Sequence, residues 1–184
     1  MTIYYVNYDS EGMTTGEEAE KQHTLGRELL AFALHQEGLA VSGSLENQLA
    51  YGPSGKPCLR GLPDVHFNIS HTKGLVACAM SQKPVGIDVE RIKPYPKSVL
   101  RKMTERERFY IQHAVNPDEA FMRVWTIKEA VIKRTGEGLA AFFKTEYVLE
   151  DFKENQGFRQ MLWQGQYVIT ALESVVQEDK KDGI

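Results

Sequence analysis

The sequence predicts an α+β fold built from two similar lobes, and three observations support this class. A helix pattern is followed by three short strand patterns, and the same order recurs in the second half of the chain. Between the two sets lies Lys93-Pro94-Tyr95-Pro96-Lys97, which interrupts helix and strand because proline has no backbone N–H to donate. We therefore expect an N-terminal lobe of residues 1–92 and a C-terminal lobe of residues 93–184, joined near Pro94 and Pro96.

The first set of elements follows from hydrophobic periodicity. Residues 3–8 predict a strand, and residues 17–36 predict an amphipathic helix that ends before Gly38. A loop rich in Gly, Ser and Pro covers residues 52–61. Three strands are then expected at residues 65–69, 75–80 and 85–90.

The second set opens on two helix-start signals. Residues 104–107 have the order Thr-Glu-Arg-Glu of a capping box, and the helix that they begin is expected to stop at Asn116. Pro117 suits the first position of a second helix running to about Gly136. Strands are predicted at residues 146–149, 158–163 and 167–172, and the charged tail 177–184 is expected to fray.

Composition excludes several classes of protein. With 184 residues and 42% hydrophobic residues, the chain can bury a core. Its net charge of −3 gives no global basic field for nucleic acid or anionic membrane. Cys58 and Cys78 lack the spacing of a zinc site or a disulfide framework. Because no stretch has a membrane-spanning length or a signal-peptide pattern, we expect a cytoplasmic protein.

Two segments carry acids where acids are uncommon. Side chains alternate along a strand, so Asp88 and Glu90 share one face of the strand predicted at residues 85–90. Glu129 and Lys133 lie one turn apart on an apolar helix. Mg²⁺ takes oxygen ligands from one or two carboxylates together with substrate phosphates, so this set predicts a metal–diphosphate site. Each segment alone also fits a solvated strand or an ordinary helix ion pair.

These residues resemble the signature motifs of the 4′-phosphopantetheinyl transferase family, and the upstream motifs are similar to its Sfp-type branch. The resemblance covers roughly residues 55–138 and rests on four motifs in the family's order: Gly55-Lys56-Pro57, Phe67-Asn68-Ile69-Ser70-His71, Gly86-Ile87-Asp88-Val89-Glu90 and Trp125-Thr126-Ile127-Lys128-Glu129-Ala130 with Lys133. Enzymes of this family move the phosphopantetheine arm of coenzyme A onto a serine of an apo acyl or peptidyl carrier protein, releasing 3′,5′-ADP. The resemblance implies the same reaction here, and two lobes related by a pseudo-twofold axis with coenzyme A in the cleft between them.

The resemblance also implies roles for single residues. Asp88, Glu90 and Glu129 would hold Mg²⁺, and the catalytic set would be Asp88, Glu129 and Lys133. Lys133 would neutralise charge on the phosphoryl oxygens, and either Glu129 or a metal-bound water would accept the serine proton. Coenzyme A would be contacted by Thr24, Lys56, Ser70, His71, Lys128 and Lys133.

Some alternatives stay open at this level. Lys128 either contacts coenzyme A or pairs with an acid inside the protein. His23 stands where the family usually has an arginine, so the residues that bind the 3′-phosphate of the nucleotide are not defined. A non-catalytic module that binds coenzyme A or a carrier protein, or an unrelated metal-dependent phosphoryl-transfer enzyme, would share some of these residues. We expect a monomer without nucleic-acid or membrane partners, and the sequence does not distinguish carriers of fatty acid, polyketide or nonribosomal peptide synthesis.

Overall fold

The computed structural model describes residues 1–39, 43–52, 55–136, 142–143, 145–152 and 154–174. It confirms a mixed α+β fold whose sheets are all antiparallel. The strands are β1 (Thr2–Asn7), β2 (Leu49–Tyr51), β3 (Pro57–Leu59), β4 (His66–Thr72), β5 (Leu75–Ser81), β6 (Val85–Arg91), β7 (Phe158–Trp163) and β8 (Tyr167–Glu173). The helices are α1 (Thr15–Gln36), α2 (Leu45–Gln48), α3 (Lys97–Leu100), α4 (Glu105–Gln112) and α5 (Pro117–Thr135), with a 3₁₀ turn at Leu149–Phe152.

The helix ends agree with the predicted capping signals. Thr104 accepts a hydrogen bond from the backbone N–H of Glu107, and the Glu107 side chain accepts one from the N–H of Thr104. Asn116 caps α5, Pro117 occupies its first turn, and Gly136 ends it with φ of +77°. The two predicted helices of the second set are therefore confirmed.

Two three-stranded sheets form the centre of the molecule. One has the order β1-β5-β4 and carries α1, whose Leu30 and Ala33 join the core with Phe67. The other has the order β6-β8-β7 and carries α5, whose Ile127 contacts Leu172 of β8 within one core cluster. A third apolar cluster, which includes residues of β5, β6 and β8, packs the sheets against each other.

The pairing of β6 crosses the predicted lobe junction. This strand precedes Pro94, but it is hydrogen-bonded to β8 in register from Val85 with Glu173 to Arg91 with Tyr167. The chain therefore passes from the first sheet to the second between β5 and β6. The division into residues 1–92 and 93–184 stays a prediction.

One predicted strand is wrong. Residues 146–149 form no ladder, since the segment ends in the 3₁₀ turn Leu149–Phe152. Side chains satisfy its backbone donors instead, because Glu107 accepts from the N–H of Tyr147 and Asp151 accepts from the N–H of Val148. The short strands β2 and β3 lie in and beside the segment predicted as a loop. Among the described residues, no helix combines the length and the apolar character needed to cross a membrane.

Candidate active site

A glycine brings β6 and α5 into backbone contact. A Cβ atom on Gly86 would overlap the carbonyl oxygen of Ala130 and lie 2.5 Å from the amide nitrogen of Arg134. Only a residue without a side chain allows this approach. Residues 85, 87 and 89 turn toward the other sheet, which leaves Gly86 and Asp88 on the face that meets α5. The close contact places the β6 acids beside Glu129 and Lys133.

Asp88 is the most enclosed of the three acids. Its Oδ1 accepts hydrogen bonds from Lys133 Nζ at 2.6 Å and from Ser70 Oγ at 2.9 Å. Its Oδ2 is buried and accepts no hydrogen bond from any residue that the structure describes. A buried carboxylate oxygen without a donor is costly, because the water it has lost is not replaced. Asp88 therefore presents an oxygen that a bound cation would stabilise.

Glu90 and Glu129 face Asp88 from the strand and from the helix. Burial and the negative charge of Asp88 raise the pKa of Glu90. The same two causes, in the same order, raise the pKa of Glu129, and Glu90 adds to the shift. The Lys133 charge opposes the shift at both acids. Glu90 also lies 3.8 Å from Lys93 Nζ. The predicted acids thus share one electrostatic environment that favours a cation.

The three acids do not form a preformed metal cage. In the ranges that the structure describes, no group of three His, Cys, Asp or Glu side chains is placed to hold a metal ion. The Lys133 ammonium is the cation that contacts Asp88. Even so, the set matches a hard divalent ion such as Mg²⁺, because its donors are carboxylate oxygens and Asp88 Oδ2 has no partner among the described residues.

Side chains of β4 join the first sheet to β6. Asn68 Oδ1 accepts a hydrogen bond from the N–H of Ile87 at 2.9 Å, and Ser70 Oγ accepts one from the N–H of Val89 at 3.2 Å. Asn68 and Ser70 lie two residues apart on one face of β4. Their spacing matches that of the Ile87 and Val89 amides, which lie two residues apart on β6. We call these two bonds the β4–β6 seam. They place Ser70 directly beside Asp88.

His71 follows the seam and lies at the surface, close to the acids. Partial burial of the ring and the positive charge of Lys133 lower the pKa of His71, while Asp88 and Glu18 oppose the shift. Thr24 is exposed on α1 and lines a different surface cleft of about 500 Å³ with residues such as Gly12 and Lys21. Of these two predicted coenzyme A contacts, His71 is the one whose pKa responds to the charges of Asp88 and Lys133.

Lys56 and Lys128 use their ammonium groups inside the protein. Lys56 Nζ donates to the carbonyl oxygens of Val85 at 2.8 Å and Arg134 at 3.2 Å, which ties the start of β6 to the end of α5. Burial and the nearby Arg134 charge lower the pKa of Lys56. Lys128 is buried in an ion pair with Glu107 at 2.6 Å. Of the two alternatives for Lys128, the structure shows the internal ion pair.

The sequence interpretation missed two residues that act on the backbone of β6. Gly86 enters the sequence prediction only as part of a motif, although a glycine within a strand signals a bulge or a close backbone approach. Asn68 gave no signal beyond its motif. Both residues act on the backbone of β6, one by allowing α5 to approach and the other by hydrogen bonding to Ile87.

Comparisons with known proteins identify the family of the chain. Three acids beside a lysine, where a strand meets a helix, define a candidate metal–phosphate site. A family model described as the 4′-phosphopantetheinyl transferase superfamily matches residues 84–180, more than half of the chain. The protein therefore belongs to the 4′-phosphopantetheinyl transferase superfamily, which confirms the resemblance found in the sequence.

Two curated relatives show how far the similarity extends. The chain is 39% identical over 89 residues to the 4′-phosphopantetheinyl transferase Sfp of Bacillus subtilis, an alignment covering 47% of this chain and 40% of that protein. It is 36% identical over 110 residues to the 4′-phosphopantetheinyl transferase HetI of a Nostoc species, covering 54% of this chain and 46% of that protein. The alignments span less than half the length of these relatives.

Proposed function

We propose that the protein transfers the 4′-phosphopantetheine arm of coenzyme A to a serine of an apo carrier protein and releases 3′,5′-ADP. The observation that supports the proposal is the Asp88–Lys133 ion pair where β6 meets α5, together with Glu90 and Glu129, whose pKa values respond to the charges of that pair. Membership of the superfamily supports the same reaction. Because the alignments cover less than half of each named relative, the proposal depends mainly on the chemistry of the site.

The reaction asks the protein mainly for position and charge. The serine oxygen forms a bond to the phosphorus that bears the pantetheine arm, the bond from that phosphorus to the bridging oxygen breaks, and 3′,5′-ADP leaves. Such transfers depend on stabilising the charge of the phosphoryl oxygens. Lys133 is partly exposed, so its ammonium is available to those oxygens as well as to Asp88.

Asp88, Glu90 and Glu129 would hold Mg²⁺, which would supply charge neutralisation on the diphosphate. Burial raises the pKa of Glu129 in the metal-free protein. Either Glu129 or a metal-bound water would accept the serine proton. His71 would contact a phosphate at the rim of the site, and Thr24 would contact coenzyme A from α1.

The two-lobe arrangement is part of the proposal. Each three-stranded sheet carries one long helix, α1 on the first and α5 on the second, as expected for two lobes related by a pseudo-twofold axis. The pairing of β6 with β8 favours a boundary before β6 over the predicted junction at Pro94 and Pro96. Coenzyme A would bind between the lobes. A monomer in the cytoplasm, without nucleic-acid or membrane partners, also stays a prediction.

Intact-mass measurement tests the reaction directly. The protein is incubated with coenzyme A, Mg²⁺ and an apo carrier protein, and the carrier should gain the mass of one phosphopantetheine group. A carrier whose acceptor serine is replaced by alanine, and a reaction with a chelator in place of Mg²⁺, should show no gain. Coenzyme A binding without a mass gain would instead favour a non-catalytic binding module.

A further inference from the structure

Ser70 has its whole hydrogen-bonding capacity in use. A serine hydroxyl offers one hydrogen to donate and two lone pairs that accept. Ser70 Oγ donates to Asp88 Oδ1 at 2.9 Å, and it accepts from the N–H of Val89 at 3.2 Å and from Lys133 Nζ at 2.9 Å. The residue is 4% exposed. Its donor and both acceptor positions are therefore occupied by three protein groups.

This occupancy conflicts with the phosphate contact expected for Ser70. A phosphate oxygen accepts hydrogen bonds, so Ser70 would have to withdraw its only hydrogen from Asp88 to bind one. The exchange would leave Asp88 Oδ1 with Lys133 alone, beside an Oδ2 for which the described part of the chain offers no donor. Losing a partner of a buried charged group is costly. The bonds that Ser70 makes thus favour a role directed at Asp88 and Lys133.

We propose that Ser70 is a positioning residue that sets the orientation of Asp88 and Lys133 for the transfer reaction, an inference that rests on the proposed function. The hydroxyl fixes Asp88 Oδ1 toward Lys133, and this orientation keeps Oδ2 for a cation. Its bond to the N–H of Val89 ties this arrangement to the backbone of β6. Outer contacts of this kind orient the ligands of metal sites, and their removal lowers activity by about 10–100-fold.

Asn68 provides a matched control within the same seam. Its Oδ1 accepts from the N–H of Ile87 at 2.9 Å, two residues before the amide that Ser70 meets. Asn68→Ala removes a seam bond of the same kind and leaves the Ser70 hydroxyl in place. If Ser70 only joined the sheets, the two alanine variants would behave alike. If Ser70 positions the charged pair, only its own loss changes the chemical step.

The test is steady-state transfer to an apo carrier protein by wild type, Ser70→Ala and Asn68→Ala, with thermal unfolding measured in parallel. We expect Ser70→Ala to lower kcat by about 10–100-fold and to keep KM for coenzyme A within about threefold. Asn68→Ala should keep kcat within about threefold. Ser70→Cys keeps nearly the same volume but has only a weak donor and acceptor. It should therefore fold as wild type and, like Ser70→Ala, lower kcat while leaving KM for coenzyme A nearly unchanged.

The outcomes separate the two proposals. No transfer by the wild type would overturn the proposed function and this inference with it. With an active wild type, a tenfold rise in KM for coenzyme A at unchanged kcat would show Ser70 to be a phosphate ligand. An equal fall in kcat for Ser70→Ala and Asn68→Ala would show a purely structural seam. Either of these last two results would overturn the positioning role alone.

Discussion

Two lysines of α5 each lie 2.6 Å from a carboxylate oxygen, yet their surroundings differ. The Lys128 side chain is 1% exposed and that of its partner Glu107 is 0% exposed. The Lys133 side chain is 29% exposed, and it pairs with Asp88 across the contact between α5 and β6. The two pairs share one helix and one distance, so distance alone does not distinguish their roles.

The difference lies in the groups that surround each pair. Glu107 accepts from Lys128 and Tyr147 through Oε1 and from Thr104 through Oε2, so both oxygens have donors. Lys128 also donates to the carbonyl of Thr145 and lies 5.5 Å from the centre of the Phe142 ring. Within the described ranges, Asp88 keeps one oxygen without a donor. A pair with satisfied oxygens stabilises the fold, whereas a pair with an unused buried oxygen can accept a ligand.

The largest expected effect comes from breaking the buried pair. Lys128→Met leaves the Glu107 charge without its cation inside the protein, and we expect it to lower the free energy of unfolding by about 3–5 kcal/mol. Urea unfolding measures the loss. The double variant Lys128→Met with Glu107→Gln should be more stable than Lys128→Met alone, since no charge then remains unpaired. If Lys128→Met lowered the free energy of unfolding by less than about 1 kcal/mol and also lowered kcat, Lys128 would instead take part in the reaction.

The same substitution at Lys133 should mainly lower the rate of transfer. Lys133→Met removes the charge available to the phosphoryl oxygens, and we expect kcat for carrier modification to fall by about 10²–10³-fold. The free energy of unfolding should fall by less than for Lys128→Met, because water reaches this pair. Lys93→Met is the control, as Lys93 is more exposed and lies 3.8 Å from Glu90. If Lys133→Met kept half of the wild-type rate, Lys133 would have no essential part in the transfer.

The sequence predicted elements whose signals are local. Helices α1, α4 and α5 are predicted because hydrophobic periodicity and start signals such as the Thr104 capping box and Pro117 act within a few residues. The common face of Asp88 and Glu90 followed from strand alternation alone. The strand predicted at residues 146–149 failed because Glu107, distant in the chain, satisfies its backbone. Local pattern carries no information about such a partner.

The destinations of single side chains were also beyond the sequence. Lys56, Ser70 and Lys128 belong to motifs associated with coenzyme A, but their polar atoms bond to other parts of the protein. Likewise, β6 has the composition of a buried strand, and nothing in it indicates β8 as its neighbour. Pairing and side-chain direction depend on residues that meet only after folding. The motifs indicate a candidate site, and the tertiary structure shows which partners the polar atoms of its residues have.

Gly86→Ala should have the smallest of the three expected effects, and it tests whether the contact between β6 and α5 matters for the Lys133 pair but not for the Lys128 pair. In Gly86→Ala the new methyl group meets backbone atoms of Ala130 and Arg134, which cannot rotate away as a side chain would, so α5 must shift from β6. We expect the unfolding free energy to fall by about 1–3 kcal/mol. Transfer should also be slower, because Lys133 moves relative to Asp88. The ion pair of Lys128 with Glu107 does not cross this contact and should be kept. Gly16→Ala in α1 is the control, since its Cβ would meet open space and a helical alanine is favoured over glycine. Unchanged transfer by Gly86→Ala would mean that the site does not depend on the spacing between β6 and α5, and the contrast between the two lysines would then have to come from their exposure alone.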